Sequence, residues 1–536
     1  MGADAPLAQA AVRQRQLIHA LARRLDGQLI ETHISWVLLA GAHAYKFKKA
    51  LRLDWLDYSD VEARRRCCEE ELRLNRRLAP SLYLGVEAVT GSACQPQFGG
   101  TGPVLDYAVR MLRFDQQALW TARLAHGSLD AGEARDLGLL LADFHAGAAR
   151  ASADTPWGTP TAICERTGAD LAEVNALLPP ASPARATLAR LAAWLDAQQR
   201  RLASRYARRR AGGWVRECHG DLHCGNILTL ADQVLVFDGI EFNASLRWTD
   251  VQQDLAFVCM DLQCRGRADL AARLLDAYLQ RGGDYDGAVL LPYYRCQRAL
   301  VRAKVALLRG GDGAARGQAM AEAEHYLGWA LQATLPAPPL LLATHGLSGS
   351  GKSTLCDGLV EPLAAVRVRS DVERKRLHGM AASQRAAASP GAGIYTGQAS
   401  RLTYGWLLRL ACRAAAAGQP VLLDAAFLQR WQRRRLVRLA RRLRARWLLL
   451  DIVTPAATLA ARLSARGGES EQASDAGVGL LAYQQQTREP LQAQEQAHAL
   501  VVDTGGGWDA ARAAALAVAI RARLQDLDNR SGAPAP

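Results

Sequence analysis

Lysine is scarce. Of 66 lysine and arginine residues in the 536-residue chain only six are lysine, so the formal net charge of +14 is carried almost wholly by arginine. Arginine spread over helices reads as a solvated face. The bias replaces lysine wherever a generic positive charge suffices, which makes Lys46, Lys48, Lys49 and Lys352 informative. Cys-x-x-Cys pairs are absent among the eleven cysteines, and only Cys67 and Cys68 are adjacent. That excludes a zinc site or disulfide framework legible from spacing. No apolar run approaches the ~20 residues of a membrane span. Met1 to Arg24 lacks a basic segment followed by an apolar core, so no signal peptide is expected and a cytoplasmic location follows. What is present, 49% hydrophobic and 22% charged residues, is the composition of folded globular protein. At ~150 residues per domain the length implies three or four structural units, two of which could be lobes of one enzyme.

The most specific stretch is Gly346-Leu-Ser-Gly-Ser-Gly-Lys-Ser-Thr354, after the apolar run Leu340 to Ala343. The spacing G-x-x-x-x-G-K-S is that of a P-loop. Its backbone N–H groups wrap phosphate oxygens at a helix N-terminus, where the dipole favours negative charge. Gly346, Ser348, Gly349, Ser350, Gly351 and Thr354 form or flank this cradle, Lys352 reaches the β- and γ-phosphates, and Ser353 holds Mg²⁺.

Toward the N-terminus, residues 7 to 25 read as an amphipathic helix and Glu31 to Leu39 as one extended segment. After a turn at Ala40 to His43, a strand from Ala44 to Lys49 puts Lys46 and Lys48 on one face. A helix from Val61 to Leu78 carries Glu69, Glu70 and Glu71. A strand lysine paired with a helix glutamate is how kinase folds grip α- and β-phosphates. Further on, His219-Gly-Asp-Leu-His-Cys-Gly-Asn226 places Asp221 and Asn226 at D-x-x-x-x-N spacing. In a kinase catalytic loop that aspartate accepts the substrate hydroxyl proton and that asparagine binds Mg²⁺. A strand, Val234 to Phe237, then delivers Asp238 before Gly239, at the position of a second metal-binding carboxylate.

His219 to Asn226 with Phe237-Asp238-Gly239 resembles the aminoglycoside phosphotransferase family, whose fold is similar to that of protein kinases. Glu31 to Ser35, Tyr45 to Lys49 and Glu69 to Pro80 resemble an uncharacterised bacterial branch of it. The resemblance implies Asp221 as base, Asn226 and Asp238 as metal ligands, and Lys46 with Glu71 as the phosphate-positioning pair. Lys48 and Glu70 stand as alternatives. One departure is that the nucleotide-covering hairpin has no G-x-G-x-x-G, only Gly41 near its turn. His223 is expected to pack or hydrogen-bond within the loop. The helices after Asp250, up to about Leu335, are expected to surround the acceptor pocket, one of them carrying Tyr293, Tyr294, Arg295 and Arg298.

Thr334 to Pro339, with three prolines in six residues, is a stiff connection. The expected division is a first domain at 1–335, a linker at 336–338, a second domain at 339–527 and a disordered tail at 528–536. In the second domain strands alternate with helices, which implies a parallel sheet covered on both faces. Asp371 and Arg374 follow its second strand and Asp424 ends its third, at the carboxyl edge where open α/β sheets bind ligands. Arg462 and Arg466 lie four apart on a helix, before a polar loop at 467–477, and would close over ATP to neutralise charge on the transferred group. This stretch is similar to small P-loop kinases that include gluconate kinase, the kinase part of polynucleotide kinases and zeta toxins. That resemblance implies Asp371 as the group that orients or deprotonates the acceptor hydroxyl, Arg374 as acceptor ligand, Asp424 near Mg²⁺, and both arginines in the lid.

The expected fold is therefore a multidomain chain, a bilobal protein-kinase-like domain followed by a P-loop NTPase domain with a parallel sheet. The expected activity is transfer of the γ-phosphoryl of MgATP to hydroxyls of small-molecule acceptors at two sites, with no membrane and no obligate protein partner. Two other readings are a single working P-loop kinase regulated by a ligand-binding N-terminal domain, and a nucleic-acid end kinase. The last rests on the helix Arg430 to Arg446, whose nine arginines could face a phosphate backbone. Without interleaved aromatic residues for stacking, a solvated outer face is the preferred reading, with Leu436, Ala440, Leu443 and Trp447 as its buried stripe.

Overall fold

A computed structural model describes residues 4–53, 56–310, 313–381, 384, 393–466 and 478–530. The expected lid loop at 467–477 and the end of the tail, 531–536, lie outside the described residues. Two compact units emerge, one made of 1–129, 143–265 and 293–332, the other of 130–142, 266–292 and 333–536.

The first unit begins with the helix Asp4–Arg24, followed by a six-stranded antiparallel sheet. Its spatial order is Gln28–Glu31, Ser35–Ala40, His43–Lys48, Val104–Leu112, Tyr83–Ser92 and Gln95–Phe98. Side chains alternate along each strand. Trp36, Leu38 and Phe47 therefore pack with Leu17, Ile18 and Leu21 of the first helix. Ala44, Val109 and Met111 face the other way, toward Cys68 and Leu82. The single extended segment expected at Glu31 to Leu39 is divided in two. The Thr32 hydroxyl donates to the Ser35 carbonyl and accepts from the Ser35 N–H, both at 3.0 Å, closing a tight turn that reverses the chain.

Asp60 caps the helix Val61–Asn75 by accepting from Ala63 N–H at 2.7 Å. The remainder of the unit is mostly helical, with three two-stranded antiparallel ladders among the described residues, Arg52–Leu53 with Leu56–Asp57, Val215–Glu217 with Trp248–Asp250, and the hairpin Ile227–Leu230 and Gln233–Val236, in which Ile227 stands opposite Val236.

In the second unit five parallel strands lie in the order Val366–Arg369, Val421–Asp424, Leu340–His345, Arg446–Val453 and Ala499–Asp503. Both faces of a parallel sheet are covered, so its strands read as continuous apolar runs. Leu342, Leu422 and Leu448 meet Leu355, Leu359 and Ile520 of the covering helices in one core. The helix Ala268–Gly282 also belongs to this unit. Its Arg273 bonds Asp357 at 2.8 Å and also pairs with Glu361, while Asp276 receives Arg367 at 2.7 Å. This helix does not line the cavity described below, whereas all helices after Asp250 were expected to surround the acceptor pocket. The last helix, Ala510–Arg530, continues beyond the expected end of structure at 527.

The arginine-rich helix spans Arg430–Leu443. Leu436 and Ala440 are buried as expected, but Trp447 lies on the next strand and stacks on His498, ring centroids 4.3 Å apart. Arg433 departs from the solvated reading. It is 0% exposed, pairs with Glu495 at 3.0 Å and donates to the carbonyls of Phe427, Leu428 and Pro490. Five N–H donors in a rigid fork let one guanidinium satisfy several buried acceptors at once.

Two candidate active sites

In the first unit the loop His219 to Asn226 is held by carboxylates beneath it. Asp254, 0% exposed on the helix Val251–Cys264, accepts from His219 N–H at 3.0 Å and Gly220 N–H at 2.9 Å. Asp261, two turns further along the same helix, accepts from Cys224 N–H at 3.0 Å. Gly220 sits at φ 87°, and a Cβ there would meet the Leu246 carbonyl oxygen at 2.9 Å, so only glycine fits. The loop thereby presents Asp221 and Asn226 together, the Asn226 amide donating to the Asp221 carboxylate at 3.1 Å. His223 stays within the loop as expected, accepting from Gly225 N–H at 3.0 Å with Nε2 3.4 Å from Asp221. Burial alone would raise the Asp221 carboxyl, but His223, His219 and Arg302 together hold it well below its ordinary range.

Asp238 follows the hairpin at φ 62°. Its N–H donates to the Tyr83 hydroxyl at 3.1 Å, and Gly239 N–H donates to the Asn75 side chain at 2.8 Å. Lys46 Nζ bonds Glu71 at 2.9 Å and also Asp238. Lys48 bonds the other oxygen of Glu71 and Glu241. Glu70 instead turns outward to Arg73 and Arg247. Burial disfavours charge on both lysines, yet Asp238 and Glu71 beside Lys46, and Glu241 and Glu71 beside Lys48, hold them well above the ordinary range.

Lys46, Asp221, Asn226 and Asp238 all line one cavity of about 1130 Å³ within this unit. Its roof is the hairpin that turns at Thr32 to Ile34; Gly41, singled out in the sequence, is not among the lining residues. Sequence reasoning missed Tyr83, Asn75, Glu241, Asp254 and Asp261, which position the loop and the lysines, and assigned nothing to Asp170 and Lys304 of the cavity wall. Lys304 had a signal: it is another of the six lysines.

In the second unit the P-loop joins the strand Leu340–His345 to the helix Lys352–Gly358. Gly349 and Gly351 both take φ 82°. A Cβ on Gly346 would lie 2.9 Å from Ser350 Oγ and 3.2 Å from Ile452 Cβ. Ser350 Oγ is buried and lacks a hydrogen-bond partner among the described residues. Lys352 Nζ donates to the Leu347 carbonyl at 2.7 Å, folding over the loop. Ser348 N–H donates to Gln484 at 2.7 Å. Ser353 is half-buried on the first helical turn and Thr354 is exposed.

At the carboxyl edge of this sheet Asp424 receives Arg369 at 3.3 Å. Burial and the Asp424 carboxylate push Asp371 up, against Arg374, Arg369 and Lys352. Arg374, 7% exposed, donates to the Ile394 carbonyl at 2.9 Å and lies over the Tyr395 ring. Arg462 donates to the Thr504 carbonyl at 2.7 Å, near Gly351. Arg466 ends the same helix, Ala456–Arg466, and its side chain lies outside the described residues.

Both sites have donor sets that fit a magnesium nucleotide. A carboxylate and an amide oxygen beside a lysine suit a hard cation bound to phosphates. The left-handed glycines, Lys352 and the unmet Ser350 hydroxyl suit a phosphate chain.

The fold and sites define a chain with two kinase-like domains, a kinase-like unit of the aminoglycoside phosphotransferase type and a parallel-sheet P-loop unit. A family model described as phosphotransferase enzyme family matches residues 58–291, and one described as AAA domain matches 341–491. Over 458 residues the chain is 31% identical to uncharacterized protein Rv2004c of Mycobacterium tuberculosis, covering 85% of this chain and 89% of that one. The same values hold for uncharacterized protein Mb2027c of Mycobacterium bovis. The chain belongs to the family of these mycobacterial proteins. Among solved structures, a gluconokinase from Sinorhizobium meliloti is 20% identical, over 37% of this chain and 99% of that one, TM-score 0.26. Amicoumacin kinase hAmiN is 10% identical, over 61% and 96%, TM-score 0.39. The aminoglycoside phosphotransferase APH(4)-Ia, a thermostable mutant, is 12% identical, over 60% and 99%, TM-score 0.38. The matched families point to phosphotransferase chemistry. Among the described residues no helix is long and apolar enough to cross a membrane.

Proposed function

We propose that the chain is a bifunctional ATP-dependent phosphotransferase, with domains at 1–335 and 339–527 each transferring the γ-phosphoryl of MgATP to a hydroxyl of a small molecule. The observation that carries this reading is the meeting of Lys46, Asp221, Asn226 and Asp238 in one cavity, alongside a separate P-loop. When bound, MgATP supplies the transferable group and the divalent charge beside it. In the first unit Asn226 and Asp238 would hold the metal and Lys46, oriented by Glu71, the phosphates. Asp221, held low and therefore ionised, would accept the hydrogen bond of the acceptor hydroxyl and take its proton as the new oxygen–phosphorus bond forms and ADP leaves. With a loose transition state, such positioning is most of what a kinase contributes.

In the second unit the backbone of Gly346 to Thr354 would cradle the phosphates. Ser353 and Asp424 would serve the metal, Asp371 the acceptor hydroxyl, Arg374 the acceptor, and Lys352, Arg462 and Arg466 the developing charge. Eleven cysteines without a disulfide among them agree with a cytoplasmic setting.

The test is transfer of labelled γ-phosphate from MgATP to a pool of cell metabolites and oligonucleotides, by wild type, Asp221→Ala and Lys352→Ala. Each variant is expected to abolish a different product. If Asp221→Ala changes nothing while Lys352→Ala removes all transfer, the first unit is a ligand-binding regulator and the bifunctional reading falls. Labelled oligonucleotide 5′ ends would instead identify an end kinase.

A further inference from the structure

The cavity of the first unit extends past Asp221 into a chamber walled by two helices, Pro160–Leu177 and Leu291–Arg309. Tyr294, Gln297, Arg298, Val301 and Lys304 all line it. Their spacing of three and four residues is that of a single helical face.

Three carboxylates beside this chamber are already matched. Asp170 bonds Lys304 Nζ at 2.5 Å and the Gln297 amide at 3.1 Å. Asp250 is held by Arg209 through two bonds, at 2.6 and 2.9 Å. Glu173 lies 3.3 Å from Lys304. Glu165 is exposed at the rim.

Arg298 is the exception. It is 5% exposed, and its Nε and Nη2 have no hydrogen-bond partner among the described residues. Its only ring contact there is with Phe257, 4.8 Å from guanidinium carbon to centroid, which offers a π face and no acceptor atom. One turn earlier the Tyr294 hydroxyl, on a side chain 1% exposed, is also without a partner. A buried guanidinium with unmet N–H groups is costly, because desolvation is not repaid by hydrogen bonds. Burial accordingly disfavours charge on Arg298, offset by Asp254, Asp221 and Asp170. Such a cost is retained where a ligand meets it.

We infer that the acceptor of the first unit carries an oxyanion, a carboxylate or a phosphate ester, which Arg298 and Tyr294 hold while a hydroxyl of the same molecule reaches Asp221. Guanidinium suits either anion, since its parallel N–H groups match two oxygens at once. The acceptor class is thus hydroxy acids or phosphorylated polyols. Neutral polyols offer Arg298 hydroxyl acceptors but no countercharge, and cationic amino sugars are repelled by it. This inference rests on the reading of Asp221 as the acceptor-binding carboxylate.

The experiment uses the full chain and a panel matched in carbon skeleton: alditols, amino-alditols, aldonates and alditol phosphates of three to seven carbons. Transfer from MgATP is measured for wild type, Arg298→Gln, Arg298→Lys, Tyr294→Phe and Asp221→Asn, and transfer surviving in Asp221→Asn is subtracted as that of the P-loop unit. Binding of each compound is followed separately by calorimetry, without ATP. Aldonates or alditol phosphates are expected as the acceptors, and whichever group responds names the anion. Arg298→Gln should raise KM for that acceptor by about 30-fold with kcat little changed, as befits a lost charged hydrogen bond. Arg298→Lys should recover part of that loss, and Tyr294→Phe should raise KM by about fivefold. Transfer to neutral or cationic members with KM unmoved by Arg298→Gln overturns the inference and leaves the kinase reading intact. Anion binding that Arg298→Gln removes, without transfer to any member, keeps the anion site and refutes the kinase reading. Neither binding nor transfer for any anionic member overturns the inference, as does an Arg298→Gln variant that loses only thermal stability.

Discussion

Lys46 Nζ lies 2.9 Å from Glu71 Oε1, across the gap between the strand His43–Lys48 and the helix Val61–Asn75. The second oxygen of Glu71, whose side chain is 0% exposed, goes to Lys48. One buried carboxylate thus orients two lysines, of which Lys46 reaches the cavity.

Lys46→Met is therefore expected to lower kcat/KM for ATP at the first site by about 100-fold, the cost of losing a preorganised cation. Glu71→Gln should lower it comparably and also destabilise the unit by about 3 kcal/mol, because each of two buried lysines loses one of its two carboxylate partners. Glu70→Gln, at a partly exposed pair, should change stability by about 1 kcal/mol or less. Steady-state kinetics and thermal melts of the three variants check the ranking, and equal losses for Glu70→Gln and Glu71→Gln would count against it.

Asp254 is the support of the catalytic-type loop. Removing its carboxylate leaves the N–H groups of His219 and Gly220 buried without acceptors, so Asp254→Ala should cost about 3 kcal/mol. Burial alone would raise this carboxyl, but the hydrogen bond and charge of His145, with His219, lower it from 3.8 to about 2. A group depressed on folding stabilises the native state fully above its unfolded pKa. That stabilisation, about 2 kcal/mol, is present above about pH 4 and lost as the pH falls toward 2. Denaturant melts between pH 5 and 2 should show wild type losing this increment and Asp254→Asn losing less.

The two sites should differ in their pH profiles. Asp221 is held below the ordinary carboxylate range, so transfer through it should show no acidic limb near neutrality. Asp371 is pushed the other way by burial and Asp424, so transfer at the second site should fall on acidification sooner, at a pH above the ordinary range for aspartate. Arg374 opposes that rise, and Arg374→Met is expected to move the limb further up. Rate profiles of the two products identified with Asp221→Ala and Lys352→Ala check this, and coincident limbs would refute it.

Gly346→Ala would place its Cβ 2.9 Å from Ser350 Oγ and 3.2 Å from Ile452 Cβ. The loop must shift by a few tenths of an ångström, enough to misalign its N–H groups. Nucleotide affinity of the second site should fall by about tenfold or more, since each misplaced charge-assisted hydrogen bond is worth about 1.5–3 kcal/mol. Titration with a fluorescent ATP analogue measures it, with Gly397→Ala, at an open position with nothing within 4 Å of the added Cβ and no positive φ, as the comparison.

Sites written in consecutive residues are legible in the chain alone. The P-loop and the Asp221 to Asn226 loop carry their geometry locally, in glycines that alone take the required backbone angles and polar groups at fixed offsets. The parallel sheet is legible too, because continuous apolar runs alternating with helical periods admit few other arrangements. Choices between neighbours are not legible. Glu70 and Glu71 differ by one position on a helix, about 100° of rotation, and only packing against the sheet turns Glu71 inward. Thr32 reads as part of a strand because its β propensity is high; its hydroxyl bonding to Ser35 makes it a turn.

By itself, the sequence determined that this chain holds a P-loop, a D-x-x-x-x-N loop with a following aspartate, and enough apolar periodicity for a kinase-like unit and a parallel-sheet unit. Tertiary structure alone decided which charges are matched. Asp170 finds Lys304 more than a hundred positions away, Asp250 finds Arg209, and Arg433 is buried among carbonyls, while Arg298 lines a cavity with two of its nitrogens buried and unmet among the described residues. Charge pairing over such separations depends on how helices pack, and helix packing is set by the shapes of buried side chains, which no local pattern in the chain encodes.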